Sequence, residues 1–170
     1  HLYPRCHLRA GENVDAAVDL LYIDDVSVTT SKKIIVSELG IAINTALTTV
    51  TNSLAADVDL TNTGTYFTGP TCAQGTSGTW LATGNVTLYD LSGSAVFHVK
   101  LWDATTVIAS AYVSSTGAGL RVGVHLSGIL ASPAANIRFS VKDISNTTGK
   151  ISFNDSGNSK DSTLTVRRLV

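Results

Sequence analysis

From about residue 57 onward, apolar and polar side chains alternate one by one through short stretches bounded by turn residues. Leu120, Val122, Val124 and Leu126 alternate with Arg121, Gly123, His125 and Ser127; Ile137, Phe139 and Val141 alternate with Arg138, Ser140 and Lys142. A period of two is the period of a β-strand, whose successive side chains point to opposite faces, so one face meets a core and the other meets water or a partner. No run of ten residues in this region keeps a helical period, which excludes βαβ units and a parallel sheet. The spacing predicts strands at about 57–62, 79–90, 94–102, 106–115, 119–128, 135–144, 149–155 and 162–169. Gly69-Pro70, Ser92-Gly93, Thr116-Gly117, Ser132-Pro133 and Thr148-Gly149 mark the turns between them. Eight strands in two antiparallel sheets make an all-β sandwich of jelly-roll type.

The inward phase is supplied by Trp80, Ala82, Gly84, Val86 and Leu88, by Ala95, Phe97, Val99 and Leu101, and by Val107, Ala109, Ala111 and Val113. Small and β-branched side chains of this kind favour close sheet packing over an internal ligand cavity. At 170 residues the chain has room for this sandwich and an appendage.

Residues 1–17 have no clear period and read as a linker or loop. Residues 18–56 read as a small hairpin-plus-helix module for oligomerisation, to which the resemblance given below adds attachment. In it DLLYID (19–24) and KKIIVS (32–37) predict a hairpin. Ser37 and Glu38 then suit a helix start. Across 41–54 Ile43, Leu47, Val50 and Leu54 recur at helical spacing, against which β-branched Thr45, Thr48, Thr49, Val50 and Thr51 count. A short helix docking on neighbouring chains is the preferred reading. Residues 57–170 read as the β-sandwich domain, which the resemblance given below makes a head. The chain has no Met, so residue 1 is not a translation start and an upstream piece is expected. Cys6 and Cys72 are too few for a disulfide-stapled scaffold, and two free thiols are the simpler reading.

Chemistry is hard to find in this sequence. His98 and His125 fall on the outward phase of strands, and no Gly-x-Ser-x-Gly elbow occurs. Asp90, Asp103, Asp143 and Asp155 sit at strand ends, where Asp is a routine turn residue, so a glycosidase pair is not indicated. Cys6-His7 lacks the paired spacing of a zinc site. The oxygen-rich loop 154–161 has its glycine in the wrong place for an EF-hand and reads as a turn closed by Asx hydrogen bonds. The chain is therefore expected to be no enzyme, with no cofactor and no metal. A net charge of −1 does not favour nucleic acid, and no apolar run approaches the length of a membrane span.

Recognition belongs to the outward phase, which carries His98, Lys100, Trp102, Arg121, His125, Arg138, Lys142 and Arg167. From Ser94 onward there are eight Lys and Arg against four Asp, so this half has a basic bias. If these residues share one sheet face, that face suits an acidic polysaccharide, with Trp102 stacking on a sugar ring. An ordinary solvated face, or one covered by a symmetry mate, is the plainer alternative, since alternation demands polar residues outside whatever the function. Trp102 is the exception, because a large aromatic in a polar phase marks an interface. Trp102, Lys100, His98 and Arg121 are the candidate glycan or subunit contacts.

Two parts of the chain resemble bacteriophage virion proteins. DLLYID with SKKIIVSEL (31–39) looks like a short hairpin-and-helix module recurrent in phage tail and fibre proteins. TYFTGP (65–70), QGTSGTW (74–80), KLWD (100–103) with TTVIAS (105–110), and SGNSKDSTLT (156–165) resemble a domain found at the ends of virion proteins of phages and phage-like particles. The resemblance implies a homotrimeric fibre, spike or decoration on the particle surface, joined to other virion proteins through its N-terminal region. Its distal jelly-roll head would contact a host-surface glycan or protein. It brings no catalytic residues, and residues 1–10 match nothing in it. The alternative from another class is a free-standing carbohydrate-binding module or lectin.

Overall fold

The computed structural model describes residues 20–23, 32–35 and 48–169. The chain divides into two compact units, residues 1–46 and 47–170. In the first, β1 (Leu20–Ile23) and β2 (Lys32–Ile35) pair antiparallel with Leu20 opposite Ile35, which is the hairpin expected from the sequence. The helix start at Ser37 and Glu38, Cys6, and the linker 1–17 lie outside the described residues.

The second unit is built from β3 (Thr49–Ser53), β4 (Val58–Leu60), β5 (Phe67–Cys72), β6 (Thr79–Asp90) and β7 (Ala95–Trp102). β8 (Val107–Ser115), β9 (Val122–Ala131), β10 (Ile137–Asp143), β11 (Gly149–Ile151) and β12 (Thr163–Arg168) complete it. They form a four-stranded sheet in the order β5-β10-β7-β8 and a six-stranded sheet in the order β3-β12-β6-β11-β4, with β9 on the other edge of β6. β12 and β11 pair with successive parts of one edge of β6, so the short β4 and β11 merely prolong a layer ordered β3-β12-β6-β9. Every pairing is antiparallel. The chain thus crosses repeatedly between layers so that β3 pairs with β12 and β5 with β10, early strands embracing late ones. Nested pairing of this kind is the jelly roll.

The core lies between the layers and follows the alternation. Along β7, Ala95, Phe97, Val99 and Leu101 are buried while Val96, His98, Lys100 and Trp102 are half-exposed. Trp80, Ala82, Val86 and Leu88 of β6 and Ile137, Phe139 and Val141 of β10 meet them. Gly84 lets the layers approach: a methyl group there would stand 2.9 Å from Phe139 Cε2 of the facing sheet, and would also crowd the Thr163 carbonyl oxygen of the neighbouring strand. Cys72 is a free, fully buried thiol whose Sγ donates to the Leu164 carbonyl at 3.3 Å, and burial pushes it up to about 11.

Several expectations need correction. Residues 49–53, read as the end of a helix, are β3, with Val50 opposite Val166 of β12. β-Branched Thr49, Val50 and Thr51 suit a pleated strand better than a helix, and here a partner strand takes them. The sandwich therefore begins before residue 57. Residues 67–72, read as a turn at Gly69-Pro70, form β5. It is an edge strand, and its register against β10 shifts between Arg138 and Ser140, so Pro70 sits where the ladder is interrupted. β9 begins at Val122 and not at 119, leaving Leu120 exposed. Val107, placed in the inward phase, is 52% exposed, because the β7–β8 ladder slips between Leu101 and Trp102. The strand read at 149–155 stops at Ile151.

Candidate functional site

The outer face of the β5-β10-β7-β8 sheet is assembled from cross-strand rows. Arg138 of β10 lies opposite Trp102 of β7, Ser140 opposite Lys100, and Lys142 opposite His98. β8 extends two of these rows with Ser110 beside Lys100 and Tyr112 beside His98. Side chains on paired strands sit within reach of one another, so a pattern spread along the sequence becomes one patch. Both register shifts of this sheet fall here, at Trp102 and at Arg138/Ser140. A bulge re-aims the side chain that it carries.

The side chains converge. Trp102 Nε1 donates to Ser140 Oγ at 2.8 Å, which lays the indole over the strand and buries Ser140. Lys100 Nζ stands 3.2 Å from the Trp102 ring centroid and 4.1 Å from that of Tyr66, a cation held between two rings. Arg138 approaches the Trp102 ring at 5.9 Å, and Lys142 the Tyr66 ring at 5.1 Å. His98 and Tyr112 stack tilted at 5.2 Å. Tyr66, His98, Ser110 and Tyr112 line an open groove of about 260 Å³ beside them.

The electrostatics of this face are one-sided. Burial, and then repulsion from Lys142, lowers the Lys100 ammonium from its ordinary value. No carboxylate among the described residues answers these cations. Asp57 accepts from the Phe153 amide and the Tyr89 hydroxyl, Asp59 pairs with Lys150, and Asp155 with Arg121. Asp161 accepts from the Ser156 amide. Asp103 caps the amides of Thr105, Thr106 and Ala134, while Asp90 and Asp143 cap their own turns. The two ion pairs among the described residues both lie elsewhere, and the buried Nε of Arg138 has no hydrogen-bond partner. The result is a cluster of cations over aromatic faces whose positive charge no carboxylate of the described residues offsets.

The sequence reading grouped Arg121 with Trp102, Lys100 and His98; the structure separates it. Arg121 precedes β9 and makes a two-pronged pair with Asp155, Nη2 to Oδ1 at 2.8 Å and Nε to Oδ2 at 2.9 Å. Its guanidinium covers the Tyr89 ring at 4.4 Å. The Arg121 hydrogen bonds hold Asp155 below the usual carboxylate range. His125 of β9 and Arg167 of β12 also belong to the other sheet, where His125 Nε2 meets Thr83 Oγ1 at 3.4 Å. Sequence reasoning missed Tyr66, Tyr112 and Ser140 as members of the patch. Tyr112 was findable, because it shares the outward phase of β8 with Ser110 and Ser114.

The loop 154–161 closes on itself. Asn154 Oδ1 accepts from the Ser159 amide at 2.6 Å and Asp161 Oδ2 from the Ser156 amide at 2.8 Å. Each spans five residues, so the loop is braced end to end by its Asn and Asp and not by the two-residue Asx turn expected of it.

No family model and no curated protein matches the chain. Solved structures with a similar path include Eiger TNF from S. frugiperda, at 8% identity over 74% of this chain and 94% of that one, with a TM-score of 0.44. Another is the C-terminal CBM6 of LamC, a marine laminarinase from Zobellia galactanivorans, at 12% identity over 71% and 99%, with a TM-score of 0.33. At these levels the fold rests on the strand order itself, and neither neighbour lends its partners to this chain.

Proposed function

We propose that this chain is a non-enzymatic recognition head of a virion fibre or spike. It is carried as a homotrimer, and it binds an acidic host-surface polysaccharide through the outer face of the β5-β10-β7-β8 sheet. The observation that carries the binding part is the unanswered positive charge of Lys100, Lys142 and Arg138 gathered over Trp102 and Tyr66. Carboxylate or sulfate groups of the polymer meet the cations, and a sugar ring lies on an exposed aromatic face. Binding relieves the repulsion between Lys100 and Lys142, and no bond is made or broken. The virion setting and the trimer rest on the phage-like stretches of the sequence.

Titration calorimetry of the full chain against a carboxylated, a sulfated and a neutral polysaccharide tests the reading. The acidic polymers are expected to bind and the neutral one not to. Trp102→Ala should weaken binding by about tenfold, equivalent to roughly 1.4 kcal/mol, a typical size for one cation–aromatic contact. Failure of every acidic polymer to bind would sink the glycan reading and leave the trimer to be judged separately. A free-standing carbohydrate-binding module is the second reading, favoured by the fact that one chain supplies the whole patch. Light scattering separates the two, since the module would run as a monomer.

A further inference from the structure

Asp90 ends β6 and Asp143 ends β10, and both are fully buried. Asp90 is richly served. Its Oδ1 accepts from the Ser92 amide at 2.7 Å, the Ser92 hydroxyl at 2.7 Å and the Gly93 amide at 3.1 Å, and its Oδ2 accepts from Thr148 Oγ1 at 3.0 Å. Asp143 is served on one side only. Its Oδ1 accepts from the Ser145 and Asn146 amides at 2.8 and 3.1 Å, while its Oδ2 has no hydrogen-bond donor at all.

The neighbours of that orphan oxygen offer it no donor. Gly149 of β11, which faces Asp90 across the ladder, lies against it so closely that a methyl group there would stand 2.6 Å from Oδ2 and 3.2 Å from Leu60 Cδ1. β7 brings Phe97 opposite Asp143, and β4 brings Leu60. The titratable group that acts on Asp143 is Asp90 of β6. An ionised carboxylate oxygen without a donor, buried beside a second carboxylate, is strongly disfavoured.

We propose that Asp143 is held as a neutral carboxylic acid that shares its proton with the Asp90 carboxylate, a latch that fastens the β6–β7 turn to the β10–β11 turn and loosens as pH rises. The division of labour follows the donors. The four donors around Asp90 suit an anion, whereas the bare Oδ2 suits a proton. Burial, opposed by two amides and reinforced by the Asp90 charge, raises Asp143 from its ordinary value; the turn donors outweigh burial at Asp90 and lower it. A raised acid contributes stability that is complete below the ordinary Asp value and is lost as pH climbs through the folded value. Other connections cross the same seam, with the Ile144 amide donating to the Val96 carbonyl and the Leu91 amide to the Thr148 carbonyl. The latch therefore acts on turns that are already in contact.

Carboxyl carbon NMR of the full chain, titrated from acid to mild alkali, should show Asp143 changing charge above the range of the other aspartates. The melting temperature of Asp143→Asn, which keeps the shape and offers an amide donor to Asp90, should overtake that of the wild type as pH rises. Asp90→Asn should bring the Asp143 transition back toward the ordinary range. An Asp143 transition at or below the ordinary range overturns the proposal, and the NMR measurement decides this even if a variant fails to fold. A melting temperature raised by calcium in the wild type and not in Asp143→Asn overturns it too, since a cation would then replace the proton.

Discussion

At the scale of single residues, much of this sandwich is held by aspartates that serve backbone amides. Asp103 is fully buried at the end of β7; its Oδ1 accepts from Thr105 and Thr106 and its Oδ2 from Ala134. Burial works to raise this acid, but the amides of Thr106, Ala134 and Thr105 outweigh it and hold it below its usual range. Asp103→Ala strands three donors, and chemical denaturation should register a loss of about 2–4 kcal/mol. Because the folded value is depressed, this contribution is present at neutral pH and fades on acidification, the opposite sense to Asp143. Sequence spacing places these aspartates correctly at strand ends but cannot tell the two senses apart. Local turn amides serve both, and what separates them is a donor distant in the chain, Ala134, which reaches Asp103 and has no counterpart at Asp143.

At the scale of elements, the long strands with one face on the core were legible, and the short β3 and β5 were not. β6, β7, β8 and β10 are flanked on both sides or pack one face on the core, so period two is written into their composition. β3 and β5 are short edge strands, one mostly polar and the other interrupted at Gly69-Pro70, so neither shows the period. β3 carries a run of Thr and Asn whose outer members bond across to β12, Thr51 Oγ1 to Thr165 Oγ1 at 2.9 Å and Ser53 Oγ to Thr163 Oγ1 at 2.8 Å. Its apolar contribution is little more than Val50, packed against the core. A fragment spanning 47–170 should fold and melt cooperatively. One spanning 57–170 uncovers the free edge of β12 and the thiol of Cys72, whose Sγ also lies 3.5 Å from the Val50 carbonyl. It should melt at a markedly lower temperature and react with a thiol reagent that the longer fragment resists. Equal melting of the two fragments would show that β3 is dispensable.

At the scale of the whole molecule, one layer of the sandwich does different work from the other. The face of β5-β10-β7-β8 gathers cations without acids, whereas the ion pairs among the described residues, Arg121 with Asp155 and Lys150 with Asp59, belong to the other sheet. The basic bias was readable in the sequence, but its division between two faces was not. Chain order alternates between layers, and only the pairing of β7 with β10 sets Lys100, Arg138 and Lys142 side by side. Three such faces on one trimer would share a high effective concentration of polymer, so modest single-site affinity becomes firm attachment. The full chain is expected to run as a trimer by light scattering, with its attachment to acidic polymer weakening steeply between low and physiological salt. A monomer would end the fibre reading, and salt-independent attachment would end the charge reading. The two tryptophans have a practical consequence. Trp80 is buried in the core with its Nε1 donating to the Ser77 carbonyl at 3.0 Å, while Trp102 lies on the outer face among the cations. Their fluorescence is therefore divided by position. One emitter reports whether the layers are together, the other whether the face is occupied, and Trp102→Phe leaves an instrument that reads folding alone.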